Sequence, residues 1–354
     1  MQIPDVIIAG AGIIGVSIAL ELRRRGAEVL VVDRGEPGQE SSAAAAGMLA
    51  PSDPETPPAL RPMATASAEL FPGYVDYLQQ LSQMSVDFRR QGTIAFFEGV
   101  PAPAEYRKLG AEDVTRMEPA LYAEGRKAYF VQEDSVDPQL LTRAALSAAG
   151  RSGVEFRGNF EVQMIRARGR DVEVATVAEN IFAHTVVDCR GAWSGAPVRP
   201  RKGQSLYLQP LRAGLLEHVI KAFEVYLVPR SSGKILVGAT VEDVGFNKAV
   251  EPEVVAGLHH RAAELVPALA NATVTESWAG LRPGSPDDLP LVGPADTPGC
   301  FVATGHFRNG ILLAPVTARI IADLIDSKAP VLDISAFSPL RFASAFANGS
   351  RKSD

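Results

Sequence analysis

An α/β fold is the prediction of this sequence, with a Rossmann-like domain interrupted by a second domain on a mixed or antiparallel β-sheet. Three observations carry it. Residues 5–33 read as strand, glycine turn, helix and strand; residues 204–239 run β-rich; and from Phe301 the chain returns to strand, turn and helix. At 354 residues the chain also exceeds the length over which one core keeps growing, so two domains are expected.

Taken in order, Asp5-Val-Ile-Ile-Ala9 suits a buried parallel strand. Gly10-Ala-Gly-Ile-Ile-Gly15 follows, and an apolar-faced helix over Ile13–Arg25 is stopped by Gly26. Glu28–Val32 then reads as a second strand ending at Asp33. This is the dinucleotide fingerprint: Gly10, Gly12 and Gly15 allow a tight turn, and a pyrophosphate rests at the helix N-terminus opened by Ile13 and Ile14. An acidic residue about 20 positions on reaches a ribose hydroxyl. Five prolines (51, 54, 57, 58, 62) make residues 51–62 an extended loop, either a connector or a lid. Residues 64–84 read as helix, Gly92–Glu98 and Lys127–Gln132 as strands, and Pro138–Gly150 as a helix with proline in its first turn. Strands are expected at Val154–Phe156, Val172–Val177 and Thr185–Cys189, then at Gln204–Leu208, Phe223–Val228 and Lys234–Ala239, with a hairpin turn at Pro229–Gly233. Glu251–Leu265 reads as helix, Val274–Trp278 and Phe301–Gly305 as strands, and Gly310–Ile325 as the last helix, with Pro315 tolerated near its first turn.

Composition narrows the function. Hydrophobic residues make up 46% and charged residues 21%, as in globular proteins, and a net charge of −6 with no basic run argues against nucleic acid. Cys189 and Cys300 form neither a disulfide framework nor a CxxC motif, which fits a reducing cytoplasm. The uncharged stretch Val6–Leu20 is too short to span a bilayer, follows Asp5 rather than a basic region, and keeps the nucleotide spacing, so neither a leader nor a membrane segment is expected. His259 and His260 are adjacent on a helix and face apart, and the other histidines lack ligand spacing, so no metal site is expected.

Thr304-Gly-His-Phe-Arg-Asn-Gly-Ile-Leu-Leu-Ala-Pro315 is a second specific constellation: a strand end, a short loop with a cation, and a glycine opening a helix. A helix N-terminus aimed at a ring system stabilises negative charge there, which suits a flavin better than a nicotinamide. Together with Cys189-Arg-Gly-Ala-Trp-Ser194, Trp278-Ala-Gly-Leu-Arg-Pro283 and Ser42-Ala-Ala-Ala-Ala-Gly-Met48, it makes the chain resemble the D-amino-acid-oxidase-like FAD-dependent oxidoreductases, from Val6 to about Phe342. Within them it looks most like the glycine oxidases of the thiamine-biosynthesis type. The resemblance implies an FAD-binding domain of residues 1–79, 136–199 and 278–354 and a substrate domain of residues 80–135 and 200–277. It implies non-covalent FAD, since the surroundings of Cys300 do not resemble a flavin-attachment sequence. Gly10, Gly12, Ile13, Ile14 and Gly15 would hold the pyrophosphate, Asp33 and Arg34 the adenosine side, and Val162 the adenine. Ser41, Ser42, Ala46, Gly47 and Met48 would line the cofactor, Gly191 and Trp193 approach it at a strand end, and His306, Arg308, Asn309, Gly310, Ile311 and Leu312 border the ring.

For substrate the resemblance points to Tyr226, Arg282 and Arg308. Arg282 offers the planar fork that a carboxylate accepts bidentately; a structural ion pair after a strand is the alternative, as is a half-buried strand tyrosine for Tyr226. Glu224 departs from the family pattern, which has histidine there. If Glu224 and Tyr226 share a strand they share a face, which places the carboxylate at the cavity; a solvated strand-edge residue is the other reading. The implied activity is oxidation of glycine and other small amino acids or amines, with dioxygen as acceptor and an imine product that hydrolyses or feeds thiazole synthesis. Alternatives are a dehydrogenase passing electrons to a quinone or partner subunit, a D-amino acid oxidase of different range, an inactive nucleotide-binding subunit, and an NAD-dependent enzyme. A homo-oligomer is expected.

Overall fold

The computed structural model describes residues 3–97 and 101–342; Glu98, expected to end a strand, and residues 1–2 and 343–354 of the expected FAD-binding segments lie outside the described residues. β1 (Val6–Ala9) leads through the glycine turn into α1 (Ile13–Arg24), and β2 (Val29–Val32) pairs with β1 in parallel. All residues of both strands are buried, as a sheet covered on both faces requires. The proline-rich stretch is not extended throughout. A 3₁₀ turn at Pro58–Leu60 runs into α2 (Arg61–Ser82), with Pro62 in the first turn, where a helix needs no N–H partner. β3 (Thr93–Phe96) and β4 (Ala128–Val131) pair antiparallel, and α3 (Pro138–Arg151) is capped by Asp137, whose carboxylate accepts from the Gln139 and Leu140 N–H groups.

β5 (Glu155–Arg157), β6 (Val162–Arg168), β7 (Asp171–Thr176), β8 (Asn180–Ala183) and β9 (Thr185–Asp188) follow. Then come β10 (Arg199–Gln209), β11 (Val219–Lys221), β12 (Tyr226–Pro229), β13 (Ile235–Gly238) and α4 (Pro252–Leu265). The last elements are β14 (Thr273–Gly284), β15 (Leu291–Pro294), β16 (Cys300–Thr304) and α5 (Gly310–Ile325). Three expectations change. Phe223 stands in a turn, 82% exposed, rather than on a strand. β14 continues to Gly284, which puts Arg282 inside a strand rather than after one. Pro315 falls in the second turn of α5 and removes the donor that would pair with the Ile311 carbonyl.

The first sheet has the order β15-β16-β9-β1-β2-β5, parallel except for β15. One face packs on α1, α2, α3 and α5; the other is covered by the antiparallel β6–β7–β8 sheet. Helix α5 has 11 of its 16 residues buried, the mark of a helix inside the core rather than on it. The second sheet has the order β14-β10-β13-β12-β11-β3-β4, ending in a short edge strand at Arg107–Lys108. Its strands are two-faced: Leu206, Leu208, Leu227 and Val237 pack against α4, while Tyr207, Tyr226 and Val228 pack with Ala46 and Met48 on the face toward the first sheet. The cleft described next lies between these two surfaces. No helix among the described residues is long and apolar enough to cross a membrane.

Candidate active site

One cavity, about 2140 Å³ with its open mouth, runs from the carboxyl ends of β1 and β2 to the inner face of the second sheet. Every residue expected at the cofactor or substrate lines it except Gly15 and Leu312. Both exceptions have packing roles. A Cβ on Gly15 would fall 2.0 Å from the Gly10 carbonyl oxygen, so this glycine lets α1 close on the turn. Leu312 is buried, and its carbonyl accepts from the Ser67 hydroxyl of α2.

At the nucleotide end, a Cβ on Gly10 would come 2.4 Å from the Cys189 carbonyl oxygen, which explains why the turn can lie flat on the end of β9. α1 has no capping side chain at Gly12; the Ile13 N–H donates to Ser42 at 2.9 Å. Asp33 accepts from the N–H of Ala11 (2.7 Å) and of Gly35 (3.0 Å), one on each oxygen, which fixes the carboxylate at the end of β2. Burial raises its pKa and those two bonds oppose the rise. Arg34 lies 4.5 Å from the Trp193 ring centre, and Trp193 in turn packs on Phe246 at 5.5 Å.

In the middle, the segment from Ala44 to Met48 is held from the second sheet. Trp278 Nε1 donates to the Ala44 carbonyl (3.1 Å), and buried Arg230 donates to the carbonyls of Ala46 (2.6 Å) and Val136 (3.0 Å). Gly47 has φ +75°, and a Cβ there would fall 1.9 Å from the Val136 carbonyl oxygen, so only glycine fits. Opposite it, α5 opens at Gly310 with no capping side chain, so its first-turn N–H groups and its dipole face the cavity. His306, just before it, is buried and hydrogen-bonded through Nε2 to the Thr317 hydroxyl at 3.1 Å. Burial pushes its pKa down to about 3, so it is a neutral tether rather than a charge.

At the far end, Tyr226 and Arg282 lie flat on glycines of the neighbouring strands. A Cβ on Gly238 would fall 2.5 Å from the Tyr226 hydroxyl, and one on Gly203 would fall 2.1 Å from Arg282 Nη1. Arg282 donates to the Thr240 carbonyl at 3.1 Å and also reaches the Tyr226 hydroxyl. Burial lowers its pKa, and the Arg308 and Arg201 charges add to that. Arg308 is ion-paired to Glu55, and Lys221 binds Asp53 at 2.6 Å, so the stretch after Pro51 is fastened to both walls of the cavity. Glu133 is buried behind Asp53; burial, with the Asp53 charge, pushes its pKa up to about 7. Glu224 does line the cavity, but from the exposed turn before β12, so it does not share a strand face with Tyr226. Asp53, Glu55, Lys221, Thr240 and Arg230 carry no sequence motif. The strand glycines Gly203 and Gly238 signal the close approach of Arg282 and Tyr226, not of these five.

Two helix N-termini facing one elongated cavity, with a fixed carboxylate at one end, fit a dinucleotide whose pyrophosphate meets α1 and whose ring system meets α5. Residues 5–324 match the family described as FAD dependent oxidoreductase, and the chain belongs to that family; its cofactor is FAD. Among similar proteins, the glycine oxidase of Geobacillus kaustophilus is 33% identical over 95% of this chain and 97% of its own. The crystal structure of glycine oxidase from that organism has a TM-score of 0.91 at 32% identity, covering 96% of this chain and 99% of that one. The bifunctional protein ThiO/ThiG of Nostoc sp. is 36% identical over 91% of this chain but only 52% of its own, so the chain spans about half of that protein.

Proposed function

We propose that the chain is an FAD-dependent oxidase of glycine and other small amino acids or amines. The observation that supports this most is the convergence of Arg282 and Tyr226, each laid on a strand glycine, at the end of the cavity away from Asp33. A half-buried guanidinium with one edge held by a backbone carbonyl keeps its other edge for a carboxylate, and water exclusion strengthens that pair. The Tyr226 hydroxyl supplies a further hydrogen bond. Ala46, Met48, Ala239 and Val241 around them leave room for a small side chain. Asp33 holds the adenosine ribose, the α1 turn the pyrophosphate, and the α5 N-terminus favours negative charge on the ring.

When bound, FAD would supply the two-electron oxidation with dioxygen as final acceptor, by which glycine, water and O2 would become glyoxylate, ammonia and hydrogen peroxide. The chain's own part is to fix the carboxylate so that the α-carbon faces the ring, and to keep water away from it. Supply of the imine to thiazole synthesis is part of the proposal. So are a division into an FAD-binding part (1–79, 136–199, 278–354) and a substrate part (80–135, 200–277), self-association into a homo-oligomer, and a cytoplasmic setting, consistent with buried, unpaired Cys189 and Cys300. Glycine added without air should bleach the flavin, and air should restore it with stoichiometric peroxide. Bleaching without reoxidation by air would favour a dehydrogenase that serves a quinone or partner subunit; no bleaching by any member of an amino-acid panel would reject the reading.

A further inference from the structure

Lys202 sits in the middle of β10, fully buried, on the face of the sheet turned away from the cavity. Its ammonium donates to Glu251 at 2.7 Å and lies 3.1 Å from Glu242. Neither acid lies in one of the sheet's strands, although the Glu242 backbone forms an isolated bridge to Lys202. Glu242 is in the loop after β13, and Glu251 is the residue before α4. Gln204 completes the cluster: its amide donates to Glu242 (2.9 Å) and accepts the Glu251 N–H (2.8 Å). The backbones of Lys202 and Glu242 exchange two hydrogen bonds of 2.9 Å.

The cluster ends at the substrate side. The Thr240 hydroxyl donates to Glu242 and accepts the Gln204 N–H at 3.0 Å, and the Thr240 carbonyl accepts from Arg282. Residues 243–249, which follow in the same loop, are all exposed and in no strand or helix. They are tied down by Asp243 to Arg199 (2.9 Å), Phe246 on Trp193 and Lys248 to Glu40 (2.8 Å), contacts that lie beyond Glu242 and are not made to the Thr240 peptide. A fully buried ammonium is expensive, and an apolar side chain at this position would serve packing as well or better. What the ion cluster adds is a fixed position for one carbonyl.

We propose that Lys202 is a positioning residue for the substrate carboxylate: through Glu242 and Thr240 it holds the carbonyl that aims Arg282, from the opposite face of the sheet. The inference rests on the reading of Arg282 as the carboxylate anchor. A small displacement of that guanidinium lowers carboxylate affinity without touching the cofactor.

Glycolate, titrated into the holoenzyme and followed by the flavin spectrum, reads the carboxylate site; sulfite, which adds to the flavin itself, reads the ring. Lys202→Met should raise the glycolate Kd and the glycine KM by roughly tenfold or more, with kcat, FAD retention and sulfite Kd within about twofold. Thr240→Val, which keeps the side-chain shape and removes the hydroxyl, should raise both by about threefold or more, and it decides the matter if Lys202→Met does not fold. Arg282→Lys is measured alongside. If it loses glycolate while the Lys202 and Thr240 variants keep the parental Kd, the positioning role is wrong and the anchor stands. If Arg282→Lys keeps glycolate as well, the anchor is wrong and the positioning role falls with it. An equal loss of glycolate and sulfite binding in the Lys202 and Thr240 variants would also overturn the proposal, since it would mean general loosening of the site.

Discussion

Arg282 lies over Gly203 with Thr240 on one edge, and the charges of Arg201 and Arg308 make it a site that wants an anion. Arg282→Ala should therefore lower kcat/KM for glycine by about 10²-fold or more, mostly through KM, since a water-excluded charged pair contributes ~3 kcal/mol. Amines without a carboxylate should lose far less, and steady-state kinetics on both classes checks it. If Asp33 holds the ribose as proposed, Asp33→Ala should weaken FAD binding by roughly 1–3 kcal/mol, read by titrating apoprotein, because the N–H groups of Ala11 and Gly35 also lose their acceptor. Glu133 gives a pH prediction. Its folded pKa is raised from the ordinary glutamate value near 4.5 to about 7, so the folded state binds the extra proton and stability falls as pH rises from about 4.5 through 7. Glu133→Gln removes that penalty and should unfold at higher urea than the parent at pH 8, by on the order of 3 kcal/mol, but not at pH 4. The positions that line the cavity were legible to different depths. Asp33, Tyr226 and Arg282 stand at a motif or a matched position, whereas Asp53 and Glu55 meet Lys221 only because two distant segments converge, which no local pattern encodes.

Elements with a strong period or a cap were legible from the sequence to within a residue or two: β1, α1 and β2, and α5 at Gly310–Ile325. β6 and β8 were not, because Val162–Arg168 and Asn180–Ala183 put exposed polar residues on a sheet whose other face alone is covered. The start of β10, Arg-Pro-Arg-Lys, looks like a loop, yet Lys202 is buried and paired while Arg201 stacks near Phe307 at 5.3 Å. Charge inside a strand is the pattern that functional sites impose on otherwise regular elements. The same strand supplies a test. Gly203→Ala adds a Cβ where the Arg282 guanidinium now lies, so the side chain must lift from the sheet. Thermal stability should change little, while the KM for glycine rises by roughly an order of magnitude, on the scale expected for a misplaced binding group. Melting curves and kinetics on the one variant separate the two effects.

For the whole molecule, the cofactor reading makes a simple demand. FAD held without a covalent bond leaves with denaturation, so acid precipitation should put yellow flavin in the supernatant; colour kept in the pellet would mean a covalent link. Bound ligand also stabilises the folded state by mass action, and raising free FAD from Kd to 100 Kd should add about 2.3 kcal/mol. A Rossmann-like part interrupted by a β-rich part was readable from the order of motifs, but the way the second sheet holds the Ala44–Met48 segment through Trp278 and Arg230 was not. Those contacts join residues more than 180 positions apart.

In the first sheet, β1 lies between β2 and β9, with β16 just beyond, and α1 packs against α5. The opening glycine turn therefore waits, during synthesis, for a partner made some 300 residues later. A ribosome adding roughly 5–20 residues per second needs on the order of half a minute to cover that distance. Until then the apolar strands β1 and β2 have helices on offer but no finished cleft, and the nascent chain has nowhere to seat the ring end of a flavin. Ribosome-bound chains stopped before β16 should accordingly carry no flavin, whatever its concentration, and they are the species most in need of a chaperone.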